Sequence, residues 1–180
     1  MIAKAFPGVV LVGFMGSGKS TVGLEIARGT GAVFVDMDDW IEKKEGRAIR
    51  EIFSKDGEAA FRSMEKAALK EILAVSGQVV AVGGGAFIDR GNQKLMKAYA
   101  PVVYLEVRAE TVLRRLEGDD KRPLLHGKDR DVARNLLARR VLEYSRADYT
   151  VSTDESTPPE IAGRIIDFLD KWEGAAPDDF

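Results

Sequence analysis

The sequence contains no cysteine and only one histidine, His126, among its 180 residues. The absence of cysteine excludes thiolate catalysis, zinc–cysteine sites and disulfide frameworks together. A single histidine cannot supply a multi-histidine metal site or a histidine relay. Neither charge sign is in excess, because 27 basic and 29 acidic residues give a net charge of −2. The chain therefore has no electrostatic footprint for bulk nucleic acid or an anionic membrane, and any phosphate chemistry depends on locally placed cations.

Long hydrophobic runs are also missing. The apolar opening, residues 1–15, is interrupted by Pro7 and Gly8 and leads at once into a GSGKS segment. A membrane helix needs about 20 apolar residues, and a signal peptide offers a small-residue cleavage site after its apolar run. We therefore expect a cytoplasmic protein that binds neither membrane nor nucleic acid.

The sequence does contain short apolar runs that alternate with longer amphipathic segments. The runs are continuously apolar, which is typical of parallel strands covered by helices on both faces. They are Val9–Val12, Ala32–Val35, Val79–Val82, Val102–Val107 and Tyr149–Ser152. This alternation predicts one α/β domain over residues 1–173, followed by a frayed tail at 174–180.

Several helix boundaries are predicted from capping patterns. Residues 39–42 resemble a capping box, and a long helix is expected over 56–73, closed by Gly77. Residues 157–160, Thr-Pro-Pro-Glu, are expected to begin the last helix. The charged segment 118–130 does not fit this pattern, and a loop of that length in a compact domain is usually functional or disordered.

The strongest functional signal is GFMGSGKST at 13–21, which fits G-x-x-x-x-G-K-[ST] between a strand and a helix. Its glycines allow backbone N–H groups to cradle phosphate oxygens at a helix N-terminus. Lys19 is expected to reach the β- and γ-phosphates, and the Ser20 hydroxyl to ligate Mg²⁺. The sequence therefore predicts a nucleoside triphosphate site. Its predicted contacts are Gly16, Ser17, Gly18, Lys19, Ser20 and Thr21.

The acidic partners of this site are not where many P-loop ATPases carry them. No N-K-x-D run for guanine is present, and neither Val79–Val82 nor Val102–Val107 leads into a magnesium-holding aspartate. Asp36 and Asp38 instead follow the second strand. Alternation along an extended segment would place both at the strand's C-terminal end, where ligands bind in open α/β sheets. One carboxylate can hold a magnesium-bound water, and the other can accept a hydroxyl proton from a phosphoryl acceptor.

Three arginine positions are candidates for anion binding. Arg62 lies among apolar helix positions, Arg122 lies in the charged segment, and Arg139-Arg140 precedes the last strand. Guanidinium groups suit a substrate carboxylate or a transferring phosphate. Taken singly, each arginine is more typical of an ordinary surface position than of an anion site.

Together these motifs resemble the shikimate kinase family. Five features match in order over roughly residues 9–152: the P-loop at 13–21, Asp36-x-Asp38, Gly57-Glu-x-x-Phe-Arg62-x-x-Glu65, Gly83-Gly-Gly-Ala86 and Arg122-Pro-Leu-Leu125. The resemblance implies transfer of phosphate from ATP to the 3-hydroxyl of shikimate, with Mg²⁺ as cofactor. It also implies a three-layer P-loop NTPase fold, in which a five-stranded parallel sheet carries helices on both faces. Residues 118–130, approximately, would form a mobile lid.

The resemblance further implies roles for individual residues. Arg62 would grip the shikimate carboxylate, and Asp38 would hydrogen-bond the ring hydroxyls and take the proton. Asp36 would lie near the Mg²⁺ that Ser20 ligates. Arg122 would act in catalysis and ATP binding from the lid, and Arg115 would pack on adenine.

A second substrate arginine is expected in an Arg-x-Pro-x-Tyr element. This sequence has Arg140-Val-Leu-Glu-Tyr144, without the proline. The tyrosine spacing selects Arg140, whereas alignment on the Ala-Asp pair that follows selects Arg139. Gly84 and Gly85 complete the implied shikimate contacts.

Two other functions remain compatible with parts of the pattern. A gluconate-type kinase would also bind a carboxylate and hydroxyls, although the Gly-Gly-Gly-Ala and Gly-Glu-x-x-Phe-Arg elements favour shikimate. A regulatory nucleotide-binding module would have lost Asp38 or Arg62, and both are present. A monomer is expected from the resemblance.

Overall fold

The computed structural model describes residues 6–115 and 129–173, and in these residues a five-stranded parallel sheet carries helices on both faces. Its spatial order is β2-β3-β1-β4-β5. The strands are β1 (Val9–Val12), β2 (Phe34–Asp36), β3 (Val79–Ala81), β4 (Val102–Glu106) and β5 (Tyr149–Ser152). The predicted α/β fold is confirmed. The predicted tail and the predicted lid up to residue 128, including Arg122, lie outside the described residues.

Helices connect and cover these strands. They are α1 (Lys19–Thr30), α2 (Met37–Glu45), α3 (Ile49–Ile72), α4 (Arg90–Tyr99), α5 (Ala109–Arg115), α6 (Asp129–Tyr144) and α7 (Pro158–Asp170), with a 3₁₀ turn at Ala86–Ile88. Among the described residues, no helix has the length and apolar character needed to cross a membrane.

Strand β1 lies in the middle of the sheet and is buried along its whole length. Val10 and Val12 pack into the core on the α2, α3, α4 and α6 side, whereas Val9 and Leu11 pack into the core against α1 and α7. Successive side chains of a strand point to opposite faces, so both faces require apolar residues. This arrangement explains the continuous apolar character of the strand in the sequence.

The beginning of α2 differs from the predicted capping box at 39–42. The N-cap is Asp36, whose Oδ1 accepts a hydrogen bond from the Asp38 N–H at 3.0 Å. Residues 36–38 are therefore not one extended segment, because β2 turns directly into helix at Met37. Glu42 instead accepts the Ile49 N–H at 2.8 Å and so caps the beginning of α3.

Helix α3 begins earlier than the predicted residue 56 and is interrupted at Gly57, where φ is 83° and ψ is 172°. The segment after Gly57 corresponds to the predicted helix, but it ends at Ile72, and Gly77 lies in the turn before β3. The predicted cap of α7 is confirmed, because the Glu160 carboxylate accepts the Thr157 N–H at 2.7 Å.

Candidate active site

Two glycine-rich segments lie side by side at the C-terminal edge of the sheet. One follows β1 at residues 13–18, and the other follows the neighbouring β3 at Gly83–Gly85. From these two strands the chain leads in opposite directions across the sheet, to β2 and to β4. Ligands of open α/β proteins bind in the crevice at such a switch point.

The first segment forms a tight loop that ends in α1. Gly16 and Gly18 have φ values of 73° and 93°, which favour glycine. The Lys19 ammonium donates hydrogen bonds to the carbonyls of Gly13 at 2.9 Å and Phe14 at 3.1 Å. The loop therefore presents the N-terminus of α1 and a lysine at one place, which is the arrangement that binds phosphate.

Ser20 and Asp36 connect this loop to the end of β2. The Ser20 hydroxyl donates to Oδ2 of Asp36 at 2.7 Å, while Oδ1 of Asp36 caps α2. The described residues contain no group of three or more His, Cys, Asp or Glu side chains able to hold a metal ion by themselves. Two hard oxygen ligands beside a phosphate site suit Mg²⁺, which keeps several waters and takes its other ligands from phosphates. The residues present therefore fit a nucleotide-bound Mg²⁺.

Arg62 is held between two glutamates of its own helix. Its Nη1 donates to Glu65 at 2.5 Å, and its Nη2 donates to Glu58 at 3.1 Å. Burial alone would lower the pKa of Arg62, but the hydrogen bonds and charges of Glu65 and Glu58 outweigh burial and raise it. Its side chain is 36% exposed, so a positively charged guanidinium remains accessible to an anion.

Glu65 has only 2% of its side chain exposed. Burial raises the pKa of this carboxyl and the charge of Asp38 adds to the rise, while Arg62 and Arg140 act in the opposite direction. Glu65 is the last residue of the motif that begins at Gly57, and the sequence analysis predicts no role for it. A partner for Arg62 could have been inferred from a carboxylate three residues later on the apolar face of the same helix.

The second glycine segment packs against these charged side chains. A methyl group on Gly83 would lie 2.9 Å from Oδ1 of Asp38 and 2.9 Å from Oε1 of Glu65. A methyl group on Gly85 would lie 2.8 Å from Cζ of Arg62. A side chain at either position would therefore displace these charged groups from their present places.

Helix α6 adds Arg140 and Tyr144 to the same place. Arg140 Cζ lies 5.9 Å from the centre of the Phe14 ring. Burial raises the pKa of Tyr144, and the nearby charge of Arg140 acts in the opposite direction. A methyl group on Gly84 would lie 3.4 Å from Nη1 of Arg140. Arg139 is exposed. Of the two arginines that the sequence left open, Arg140 is therefore the one that lies beside the glycine segment.

Arg115 bridges the P-loop and the end of β5. It donates to the Gly16 carbonyl at 3.0 Å and to the Thr153 carbonyl at 2.5 Å. Arg115 is exposed beside the P-loop. Its contact with a nucleotide base stays a prediction. Thr21 lies in the first turn of α1, and its contact with a nucleotide stays a prediction.

This chain is similar to known proteins in both sequence and fold. The shikimate kinase family model matches residues 15–170. A shikimate kinase from Moorella thermoacetica is 44% identical over 168 residues, covering 92% of this chain and 96% of that protein. A shikimate kinase from Acinetobacter baumannii, solved in complex with shikimate, superposes with a TM-score of 0.87 at 37% identity, covering 92% of this chain and 94% of that one.

A gluconokinase from Sinorhizobium meliloti covers 93% of this chain and 94% of its own, but at 19% identity and a TM-score of 0.61 it shares the fold alone. The family model and the relatives at higher identity assign the sequence more closely. This chain belongs to the shikimate kinase family.

Proposed function

We infer that this chain catalyses the reaction of its family, the transfer of the γ-phosphoryl group of ATP to the 3-hydroxyl of shikimate. The products are shikimate 3-phosphate and ADP, and the reaction belongs to the pathway to chorismate and aromatic amino acids. The observation that carries this inference is the convergence of Asp38, Arg62 and Arg140 on the Gly83–Gly85 segment, next to a phosphate-binding loop. One crevice therefore offers a triphosphate site and a site for a carboxylate with hydroxyl groups.

The donor half of the site is the P-loop. Backbone N–H groups of Gly16, Ser17 and Gly18, and those of the first turn of α1, would bind the phosphates together with Lys19. Arg115 would pack on the adenine from its position beside Gly16. Arg122 would stabilise the charge on the transferring phosphate.

Ser20 and Asp36 would hold the Mg²⁺ that accompanies ATP. When bound, this ion neutralises charge that develops on the β- and γ-phosphate oxygens. The Ser20 hydroxyl would ligate it directly, and Asp36 would act directly or through water. Loss of turnover on removal of divalent cations, and recovery on addition of Mg²⁺, would test this assignment.

The acceptor half of the site is built around a carboxylate and a hydroxyl. Arg62 and Arg140 would bind the shikimate carboxylate, because guanidinium groups pair with carboxylates in a fixed geometry. Gly84 and Gly85 would contact the ring through their backbone. Asp38 would then lie within reach of the ring hydroxyls.

The transfer itself would be direct, without a phosphoenzyme. As the bond between the 3-oxygen and the γ-phosphorus forms, the bond from that phosphorus to the bridging oxygen of ADP breaks. The proton of the 3-hydroxyl passes to the Asp38 carboxylate, which acts as general base. Exclusion of water during this step prevents hydrolysis of ATP from competing with the hydroxyl acceptor.

We also propose that the enzyme acts as a monomer in the cytoplasm. The monomer is expected from the resemblance to the family, and the cytoplasmic location from ATP as co-substrate. Sedimentation at micromolar concentration would test the first part, and a second copy in the sedimenting species would contradict it.

The test of the function is a coupled assay of ADP release with ATP and Mg²⁺. Shikimate, gluconate and no acceptor are compared at equal enzyme concentration. Release that requires shikimate is expected. Release that is independent of the acceptor, or dependent on gluconate, would contradict the proposal, and nucleotide binding without turnover would favour a regulatory nucleotide-binding module.

A further inference from the structure

The end of α6 is fastened to the middle of the glycine segment. Tyr144 is completely buried, and its hydroxyl donates to the Gly84 carbonyl at 2.5 Å. Arg140 lies one helical turn earlier on the same helix. A methyl group on Gly84 would lie 3.1 Å from the Tyr144 oxygen and 3.4 Å from Nη1 of Arg140, so both side chains touch this glycine.

A second tie connects α6 to Phe87, three residues after Gly84, through Gln93 of α4. Nε2 of Gln93 donates to the Phe87 carbonyl at 2.6 Å and to Oε2 of Glu143 at 3.0 Å. Glu143 is the neighbour of Tyr144 in α6. The segment from Gly84 to Phe87 is therefore held to α6 at both of its ends.

The Tyr144 ring is fixed by a second tyrosine. It stacks on Tyr104 of β4, with ring centres 5.1 Å apart and planes 29° apart. Within the described residues the Tyr104 hydroxyl has no hydrogen-bond partner, and burial raises the pKa of Tyr104 to about 12, so this hydroxyl stays neutral. Of these two adjacent buried tyrosines, Tyr144 has a hydroxyl that hydrogen-bonds a residue of the described structure and Tyr104 does not.

We propose that Tyr144 is a positioning residue for shikimate. This inference rests on the proposed function and deepens it. Three glycines in a row leave the backbone free to rotate, and ordering them is costly. Because a peptide group is planar and trans, the bond from Tyr144 to the Gly84 carbonyl also sets the direction of the Gly85 N–H, which points away from Tyr144. Tyr144 therefore presents the backbone of Gly84 and Gly85 to a ligand beside the guanidinium of Arg140.

The test compares Tyr144→Phe with Tyr104→Phe. Each variant loses one buried hydroxyl from the same pair of stacked rings. In Tyr144→Phe the KM for shikimate is expected to rise about five- to tenfold, the factor that one ordinary hydrogen bond gives. The KM for ATP should be unchanged in both variants, and Tyr104→Phe should keep the wild-type KM for shikimate.

An unchanged KM for shikimate in Tyr144→Phe would overturn the inference. So would an equal rise of both KM values, because a general loosening of the fold affects both substrates. If Tyr144→Phe folds poorly, Gln93→Met, which removes the second tie, should raise the KM for shikimate alone, and the absence of this effect would overturn the inference. Failure of the wild-type enzyme to respond to shikimate would instead contradict the proposed function.

Discussion

Charged side chains in this site are held in place by ion pairs or by hydrogen bonds to their neighbours. Arg62 is held by Glu58 and Glu65, and Asp36 divides its two oxygens between Ser20 and the beginning of α2. Such contacts fix the orientation of charged groups at a partly buried edge of the sheet. A substrate carboxylate would therefore meet an arginine that is already positioned.

Replacing Asp38 with asparagine should remove the general base. Asparagine has nearly the same shape but does not accept the proton, so kcat should fall about 10²- to 10⁴-fold. The matched control is Asp39→Asn, because Asp39 is the next residue in α2 and is exposed. Initial rates at saturating shikimate, together with titration of ATP binding, would measure the difference. Near-normal turnover in Asp38→Asn would show that Asp38 is not the base.

The neighbouring arginines of α6 should behave differently. Arg140→Ala is expected to raise the KM for shikimate about 10- to 150-fold, because a hydrogen bond to a charged group contributes about 1.5–3 kcal/mol. Arg139→Ala should leave this KM close to that of the wild type, because Arg139 is exposed. Steady-state kinetics of both variants would decide the question, and a reversed order would assign the contact to Arg139.

The choice between these arginines marks the limit of the sequence argument for side chains. Motif spacing alone allowed either residue, since two alignments gave different answers. The phase of α6 separates them, because adjacent helical residues point about 100° apart and only one can face Gly84. That phase depends on packing of Leu137 and Tyr144 into the core, which is a tertiary contact.

Helix α3 contains a break in its helical backbone. Its interruption at Gly57 combines φ of 83° with ψ of 172°, a region occupied almost only by glycine. The break separates a short first segment from the longer segment that carries Arg62 and Glu65. It therefore sets the direction in which these two side chains approach the site.

Gly57→Ala should destabilise the protein by about 1–3 kcal/mol through backbone strain alone. A methyl group on Gly57 would meet nothing within 4 Å, so no collision contributes. Gly163→Ala is the matched control, because Gly163 lies inside α7 with equally open surroundings but without a positive φ. That change should stabilise the protein by about 0.5–1 kcal/mol. Urea unfolding would measure both, and destabilisation by the two changes alike would contradict the strain argument.

Local sequence signals predict most of the strands and helices, but they do not predict helix beginnings that depend on contacts with other segments. The strands were recognisable because burial on both faces requires continuous apolar runs. The sequence predicts the beginning of α2 too late, because Asp39 and Glu42 have the spacing of a capping box. In the structure Asp36 caps α2, and Glu42 accepts a hydrogen bond from the Ile49 N–H at the beginning of α3. The first segment of α3 was missed because Gly57 reads as a helix boundary.

Taken as one unit, the molecule gathers its site from segments that are far apart in sequence. Residues following β1, β2 and β3 meet side chains from α3 and α6 at one edge of the sheet. The sequence predicted the participants in this edge from their motifs and from the rule for parallel sheets. It did not predict the ties between them, since those ties depend on how α6 packs.

Acid should weaken the folded protein partly through Asp154. Burial alone would raise the pKa of Asp154, but hydrogen bonds from Thr111 and from the Arg108 N–H, together with the charge of Arg108, lower it. An unfolded aspartate has a pKa of about 3.9. The stabilisation is therefore complete above that value and is lost as the pH falls through the lower pKa of the folded state.

Asp154→Asn should lower the free energy of unfolding at pH 7 by about 1.5–3 kcal/mol, the contribution of hydrogen bonds to a charged group. It should also make the free energy of unfolding decrease less steeply as the pH falls below about 4. Asp167→Asn, on the exposed face of α7, should leave that fall nearly unchanged. Urea midpoints measured across this range would test both, and equal acid sensitivity of wild type and Asp154→Asn would contradict the assignment.

The central position of β1 has a consequence for synthesis of the chain on the ribosome. Val9–Val12 emerges first, but its partners are Val79–Ala81 and Val102–Tyr104. At about 5–20 residues per second, the most hydrophobic strand waits several seconds before either neighbour has been made. During that time it presents a short apolar segment with unpaired backbone groups, which is the kind of segment that chaperones shield from aggregation.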